Sequence, residues 1–223
     1  MSEAIGQILP LAIGVALSPI PIIAVVLMLG TPAGSRNGPA FVAGWIVGLS
    51  VAGALVLVLS SSSASDGGDP ADWVSWVELV LGLLLLVVAG RQWHARPVPG
   101  AELELPGWMH AIDRFTSARS AAMAVALSAI NPKNLLLVIA AAAAIAQTGI
   151  PAGEQAVSLA IFVVLGAVGP AAPVVVYFTM RDRAIQILAE LKDWMSRSNA
   201  VIMAVICLVL AAKLIGGGIS GLG

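Results

Sequence analysis

A single cysteine, Cys207, stands in this chain, inside an apolar run, which excludes an internal disulfide and a dithiol relay. It reads as a small apolar packing residue. Charge is scarce as well: 10% of the 223 residues are Asp, Glu, Lys or Arg, against about 25% in ordinary soluble domains. No cluster of Asp, Glu, His or Cys falls at membrane depth, and His94 and His110 lack ligand-spaced partners, so no metal site is expected. No nucleophile–base pair or carboxylate pair can be assembled there either, so catalysis and a cofactor are not expected. A net charge of -1, from 11 basic and 12 acidic residues, carries no signature of a nucleic-acid partner. Met1-Ser2-Glu3 has no basic region ahead of its apolar run, the first feature of a secretory signal peptide, so the segment is read as retained.

What the chain has is hydrophobicity, at 59% of its residues. A bilayer core about 30 Å thick takes roughly 20 mostly apolar residues per helix. Six stretches qualify, near 4–29, 39–60, 73–90, 119–147, 154–180 and 199–219. The prediction is an all-α membrane protein of six transmembrane helices in one membrane domain, 1–223. Between the second and third helices, Ser60 to Pro70 is a small-polar linker. After the third, Arg96-Pro97-Val98-Pro99-Gly100 breaks any helix, and Trp108, Met109, Ile112 and Phe115 then recur at near-helical spacing. That reads as a short amphipathic helix at the interface or packed on the bundle. The connection 181–198 is similar, with Ile185, Leu188, Leu191, Trp194 and Met195 set against Arg181, Arg183, Lys192 and Arg197. Nine of the basic residues fall in the odd-numbered loops and none in the even loops or termini, which predicts cytoplasmic odd loops with both termini outside.

Sliding the chain on itself by 110 positions lays Val15-Ala16-Leu17-Ser18 on Val125-Ala126-Leu127-Ser128. Each copy leads into prolines: Pro19-Ile20-Pro21 in one, Asn131-Pro132-Lys133-Asn134 in the other. The halves are then 1–91 and 119–223, joined by a cytoplasmic linker at 92–118. Three helices per half is an odd number, so the halves enter the membrane in opposite senses, the inverted-repeat plan of many secondary transporters. The first and fourth helices are expected to be broken, with 18–21 and 131–134 meeting near the membrane centre.

Proline removes a backbone donor and frees carbonyls that hydrocarbon cannot satisfy. Ser18, Ser128, Asn131 and Asn134 offer polar partners beside Pro19, Pro21 and Pro132, and together with Lys133 they form the candidate substrate site. Lys133 is too far from either end of its helix to snorkel, and an ionisable group at that depth is read as functional. Its competing reading is a lysine that bonds the freed carbonyls and holds the kink. Glu78 and Lys213 sit at comparable outer positions and form a candidate gate; Gly169, Pro170 and Pro173 form a candidate hinge or packing kink. The small-residue strip Ala40, Gly44, Gly48 and Ala52 suits close helix packing, within the monomer or in a homodimer.

These residues carry a resemblance. Pro10 to Ile22, the Asn131-Pro132-Lys133-Asn134 element and the 3+3 layout resemble the LysE-type exporter superfamily, and within it the GAP/Sap group, the glycopeptidolipid- and sulfolipid-addressing proteins. The resemblance implies an inner-membrane protein that assists the movement of glycolipids toward the cell envelope beside a larger lipid transporter. Amino-acid exporters of the superfamily carry Pro-Gly-Pro where this chain has Pro19-Ile20-Pro21, and thiol-relay and metal-exporting relatives need cysteines or acidic clusters that are missing. The leading expectation is therefore transport of an anionic amphiphile or glycolipid by alternating access. The alternatives are a proton-coupled exporter of a small polar metabolite such as an amino acid, and a non-transporting scaffold of a lipid-export complex. The expected partners are membrane lipids, the substrate itself and a larger lipid transporter.

Overall fold

The structure, a computed structural model, describes residues 1–63, 70–96, 112, 114–180 and 183–222, with backbone alone at 61–63 and 70–74. These residues form eight helices and no strand: α1 (Ser2–Ala16), α2 (Pro19–Leu29), α3 (Gly34–Ser63), α4 (Pro70–His94), α5 (Ser117–Ala129), α6 (Pro132–Gln147), α7 (Ala152–Met180) and α8 (Ala184–Leu222). Four of them, α3, α4, α7 and α8, are long and apolar enough to cross a bilayer. The pairs α1–α2 and α5–α6 bend by 48° and 63° at their breaks and bring the number to six where each pair is one span. The chain is an all-α membrane protein.

Both breaks fall where proline removes a donor. Pro19 and Pro132 each occupy the first turn of the following helix, behind Ser18 and Asn131 as N-caps. The equivalent break positions are thus 113 residues apart, not the 110 of the sequence overlay, so Asn131, not Ser128, stands where Ser18 stands. After each break the chain is buried. In α2 nine residues from Pro19 to Leu29 are buried, and in α6 the run from Ala140 to Ile145 is continuous. A helix apolar on all sides belongs in the middle of a bundle.

Around that middle, α4 lies along α8, α3 along α5 and α6, and α7 along α1 and α2. Exchanging α1 with α5, α2 with α6, α3 with α7 and α4 with α8 turns most of these neighbours into one another. The small-residue strip serves the α3–α5 contact inside the monomer, since a Cβ on Gly44 would enter the Ala121 backbone and one on Gly48 would meet Ser128.

Three expectations change. From Ala184 onward, the connection and the sixth helix are one helix, α8, of 39 residues, about 58 Å at 1.5 Å per residue. It holds no Pro and no Gly before Gly216, so nothing in the sequence stops it. Its first turns pack on α2 and α7 through Ala184, Leu188 and Met195, while Ile185 and Trp194 are exposed. Serines 60–63 continue α3 and are not linker; the linker positions 64–69 lie outside the described residues. The Gly169–Pro173 stretch makes no break, because α7 runs unbroken through Pro170 and Pro173. The amphipathic helix placed at Trp108 and Met109 also lies outside the described residues, although Ile112 is buried and Phe115 receives Asn37 Nδ2 on its carbonyl at 2.8 Å.

Candidate functional site

The two breaks meet. At the end of α1, Pro19 has no N–H for the carbonyl of Val15, and the Ser18 N–H turns to that carbonyl at 3.2 Å. The Gly14 carbonyl, which Ser18 would serve in a continued helix, is left open. Lys133, from the first turn of α6, fills it: Nζ donates to Gly14 O at 2.7 Å and to Ser18 Oγ. The Ser18 hydroxyl has one proton, for which Val15 O at 2.7 Å and Asn134 Oδ1 at 3.2 Å compete. Asn134 in turn donates through Nδ2 to the Leu127 carbonyl at 2.9 Å, an acceptor at the C-terminal end of α5. One lysine, one serine and one asparagine therefore tie the frayed ends of α1 and α5 to the start of α6.

Lys133 is 3% exposed, and among the described residues no carboxylate lies within 4.0 Å of it. Its partners are neutral oxygens. The ammonium faces the C-terminal end of α1, where the helix dipole favours a cation. Cys207 of α8 is near enough to interact with it electrostatically, a placement that its reading as a packing residue did not anticipate. Few backbone donors at these helix starts could hold an anion in place of the ammonium. Pro19 and Pro21 carry no N–H, and the Lys133 N–H is taken by Asn131 Oδ1 at 3.1 Å.

Of the candidate substrate residues, Ser18, Lys133 and Asn134 converge; Asn131 caps α6, and Pro19, Pro21 and Pro132 shape the breaks. Ser128 does not join them: its hydroxyl donates to Val125 O at 3.1 Å beneath Gly48 of α3. Glu78 of α4 and Lys213 of α8 interact electrostatically without a direct ion pair, and Lys213 Nζ donates instead to the Gln7 carbonyl at 2.7 Å. Gln7 and Gly14 contribute backbone oxygens, a role no side-chain pattern announces. Counting back from Pro19 to the carbonyls it strands would have pointed to Gly14 and Val15. The same count from Pro170 reaches Gly166, whose carbonyl receives the indole N–H of buried Trp45 at 3.2 Å. Gly169 lies against the Ala16 carbonyl, so the stretch read as a hinge is where α7 packs most closely on α1.

Two broken helices crossing at a buried, hydrogen-bonded lysine, inside a bundle whose outer helices are long enough to span a bilayer, define a polytopic membrane protein with a polar centre. Residues 8–220 match the family described as Sap, sulfolipid-1-addressing protein, and the chain belongs to that family. Comparison with curated proteins and with solved structures found no match.

Proposed function

We propose that this protein moves an anionic amphiphile, a sulfolipid or a lipid of that charge class, toward the cell envelope by alternating access about Lys133. The observation that carries the reading is the Lys133 ammonium, buried at the junction of both breaks and, among the described residues, bonded to neutral oxygens alone. A buried cation with no counter-ion costs several kcal/mol. A sulfate, phosphate or carboxylate arriving there would supply the missing charge and replace Gly14 O and Ser18 Oγ as partners. The family supports the lipid class, since its description names a sulfolipid.

In this account the halves 1–91 and 119–223 are inverted repeats, for three spans each reverse the second half relative to the first. The protein sits in the plasma membrane with both termini outside, which the nine-to-zero distribution of basic residues supports. With Lys133 bonded to the end of α1, the centre is closed; exchange of those bonds for a substrate anion lets α1 and α6 part. Glu78 and Lys213 lie farther out on α4 and α8 and serve as the outer closure. A larger lipid transporter is the proposed partner, as the resemblance to the GAP/Sap group implies.

A second reading has its own observation. Lys133 satisfies the Gly14 carbonyl that the break at Pro19 leaves open, so it can be a brace for the break and nothing more. Lys133→Met separates the two, because methionine keeps much of the stem but removes charge and donors. A strain deleted for this protein and complemented with either version is compared for anionic lipid in its outer envelope. The transport reading predicts a Lys133→Met protein that inserts at normal levels and leaves the lipid inside. The brace reading predicts that the variant loses thermal stability first. Normal levels, normal stability and normal export together would refute both.

A further inference from the structure

The helices α4 and α8 are in tight contact at Gly82 and leave a gap on the side that Gly90 faces. At Gly82 an added Cβ would stand 2.7 Å from Ile215 and 3.1 Å from the Ala211 carbonyl, so there the helices are in contact. At Gly90, about 12 Å further along α4 at 1.5 Å per residue, nothing lies within 4 Å of the same position. The gap is an open groove of about 500 Å³, lined by Leu86, Ala89, Gly90 and Trp93 of α4 and by Ala204 and Leu208 of α8. Its rim continues into exposed apolar surface at Val87 and Val205.

One end of the groove is basic. The Arg96 guanidinium sits 4.3 Å from the centroid of the Trp93 ring. Arg197 is exposed seven residues, two helical turns, ahead of Ala204 and on the same face of α8. Among the described residues, the acidic groups that could neutralise this end are distant or engaged. Glu78 is twelve residues back along α4, and Asp193 is paired with Lys192 at 3.0 Å.

We propose that this groove holds an acyl chain of an anionic phospholipid of the surrounding bilayer, with the headgroup phosphate on Arg96 and Arg197. The volume lies within the range of small-ligand pockets, and the lining offers the chain carbon throughout. Tryptophan at a helix end marks headgroup depth, which puts the arginines level with lipid phosphates and not with the tails. A guanidinium held over an indole face is fixed in place and still presents donors in the fork that matches phosphate oxygens. The site is separate from the Lys133 centre and does not depend on the transport reading.

The full chain in detergent, titrated with phosphatidylglycerol and with phosphatidylcholine of the same acyl composition, is read by native mass spectrometry. Phosphatidylglycerol should be retained more strongly, by about fivefold for each arginine at the headgroup. Arg96→Ala and Arg197→Ala should each remove a share of that preference and leave phosphatidylcholine binding unchanged. Gly90→Leu fills open space and should fold normally, which its unfolding midpoint checks, while weakening retention of both lipids. Equal retention of the two lipids by the parent chain, or parental retention by Gly90→Leu, overturns the proposal. So does competition by inorganic phosphate as effective as that by the lipid, since the arginines would then bind an anion without its chain.

Discussion

The bond between Trp45 and Gly166 predicts a specific pattern of coupling. Pro170 removes the N–H that would close the α-helical bond to the Gly166 carbonyl, and the Trp45 indole supplies a donor from α3 at 3.2 Å, fully buried. Trp45→Phe removes the donor along with part of the ring, so its cost mixes a lost bond with lost packing. Pro170→Ala restores the backbone N–H and with it an intrahelical partner for the same carbonyl. In that background the indole is dispensable for Gly166, and Trp45→Phe should cost only its packing share. The difference is the coupling energy, about 1 kcal/mol, because net hydrogen bonds contribute roughly 0.5–1.5 kcal/mol and interhelical ones in membranes average about 0.6. Reversible unfolding of the four proteins in mixed micelles measures it. A coupling below about 0.3 kcal/mol, within ordinary additivity, would show that the indole does not stand in for the proline's missing donor.

Other consequences are independent of that pair. Gly48→Leu should lower stability by about 1–3 kcal/mol or more through overpacking against Ser128 and Val125 of α5, whereas Gly6→Ala, with nothing within 4 Å, should be neutral or slightly stabilising; equal unfolding midpoints would contradict the packing described. Asn134→Leu strands the Leu127 carbonyl and should cost about 1–3 kcal/mol, read in the same unfolding assay; a neutral result would mean that the end of α5 is satisfied otherwise. With Cys207 replaced by serine, a cysteine at position 65 should react with an impermeant thiol reagent added outside and one at position 100 should not. The reverse labelling would overturn the proposed orientation.

How far the sequence was legible depends on the kind of interaction. Apolar runs and prolines act locally, so the helices, the two breaks and the meeting of 18–21 with 131–134 could be read from the residues themselves. Register was harder: the overlay at 110 followed the repeated Val-Ala-Leu-Ser, while the breaks follow the cap-plus-proline pairs Ser18-Pro19 and Asn131-Pro132 at 113. Ser128 was misplaced for that reason. The length of α8 was missed because its amphipathic stretch was read as a separate short helix, although no breaker interrupts it before Gly216. The partners of Lys133 and Lys213 are backbone carbonyls of Gly14 and Gln7, and a carbonyl has no signature in a sequence except its distance from a proline. Trp45 had no such local mark, since its partner lies on another helix.

The claim that matters most is that an anion crosses at Lys133. The full chain reconstituted in vesicles with a fluorescent sulfated glycolipid permits a direct measurement: the rate at which the probe passes between leaflets, followed by quenching from outside. The account predicts transfer well above that of protein-free vesicles for the parent chain. Lys133→Met, incorporated to the same level and equally resistant to unfolding, should transfer at the protein-free rate. Ser18→Ala, which leaves the ammonium but removes one of its two partners, should retain transfer. A Lys133→Met protein that moves the probe as fast as the parent would contradict the account.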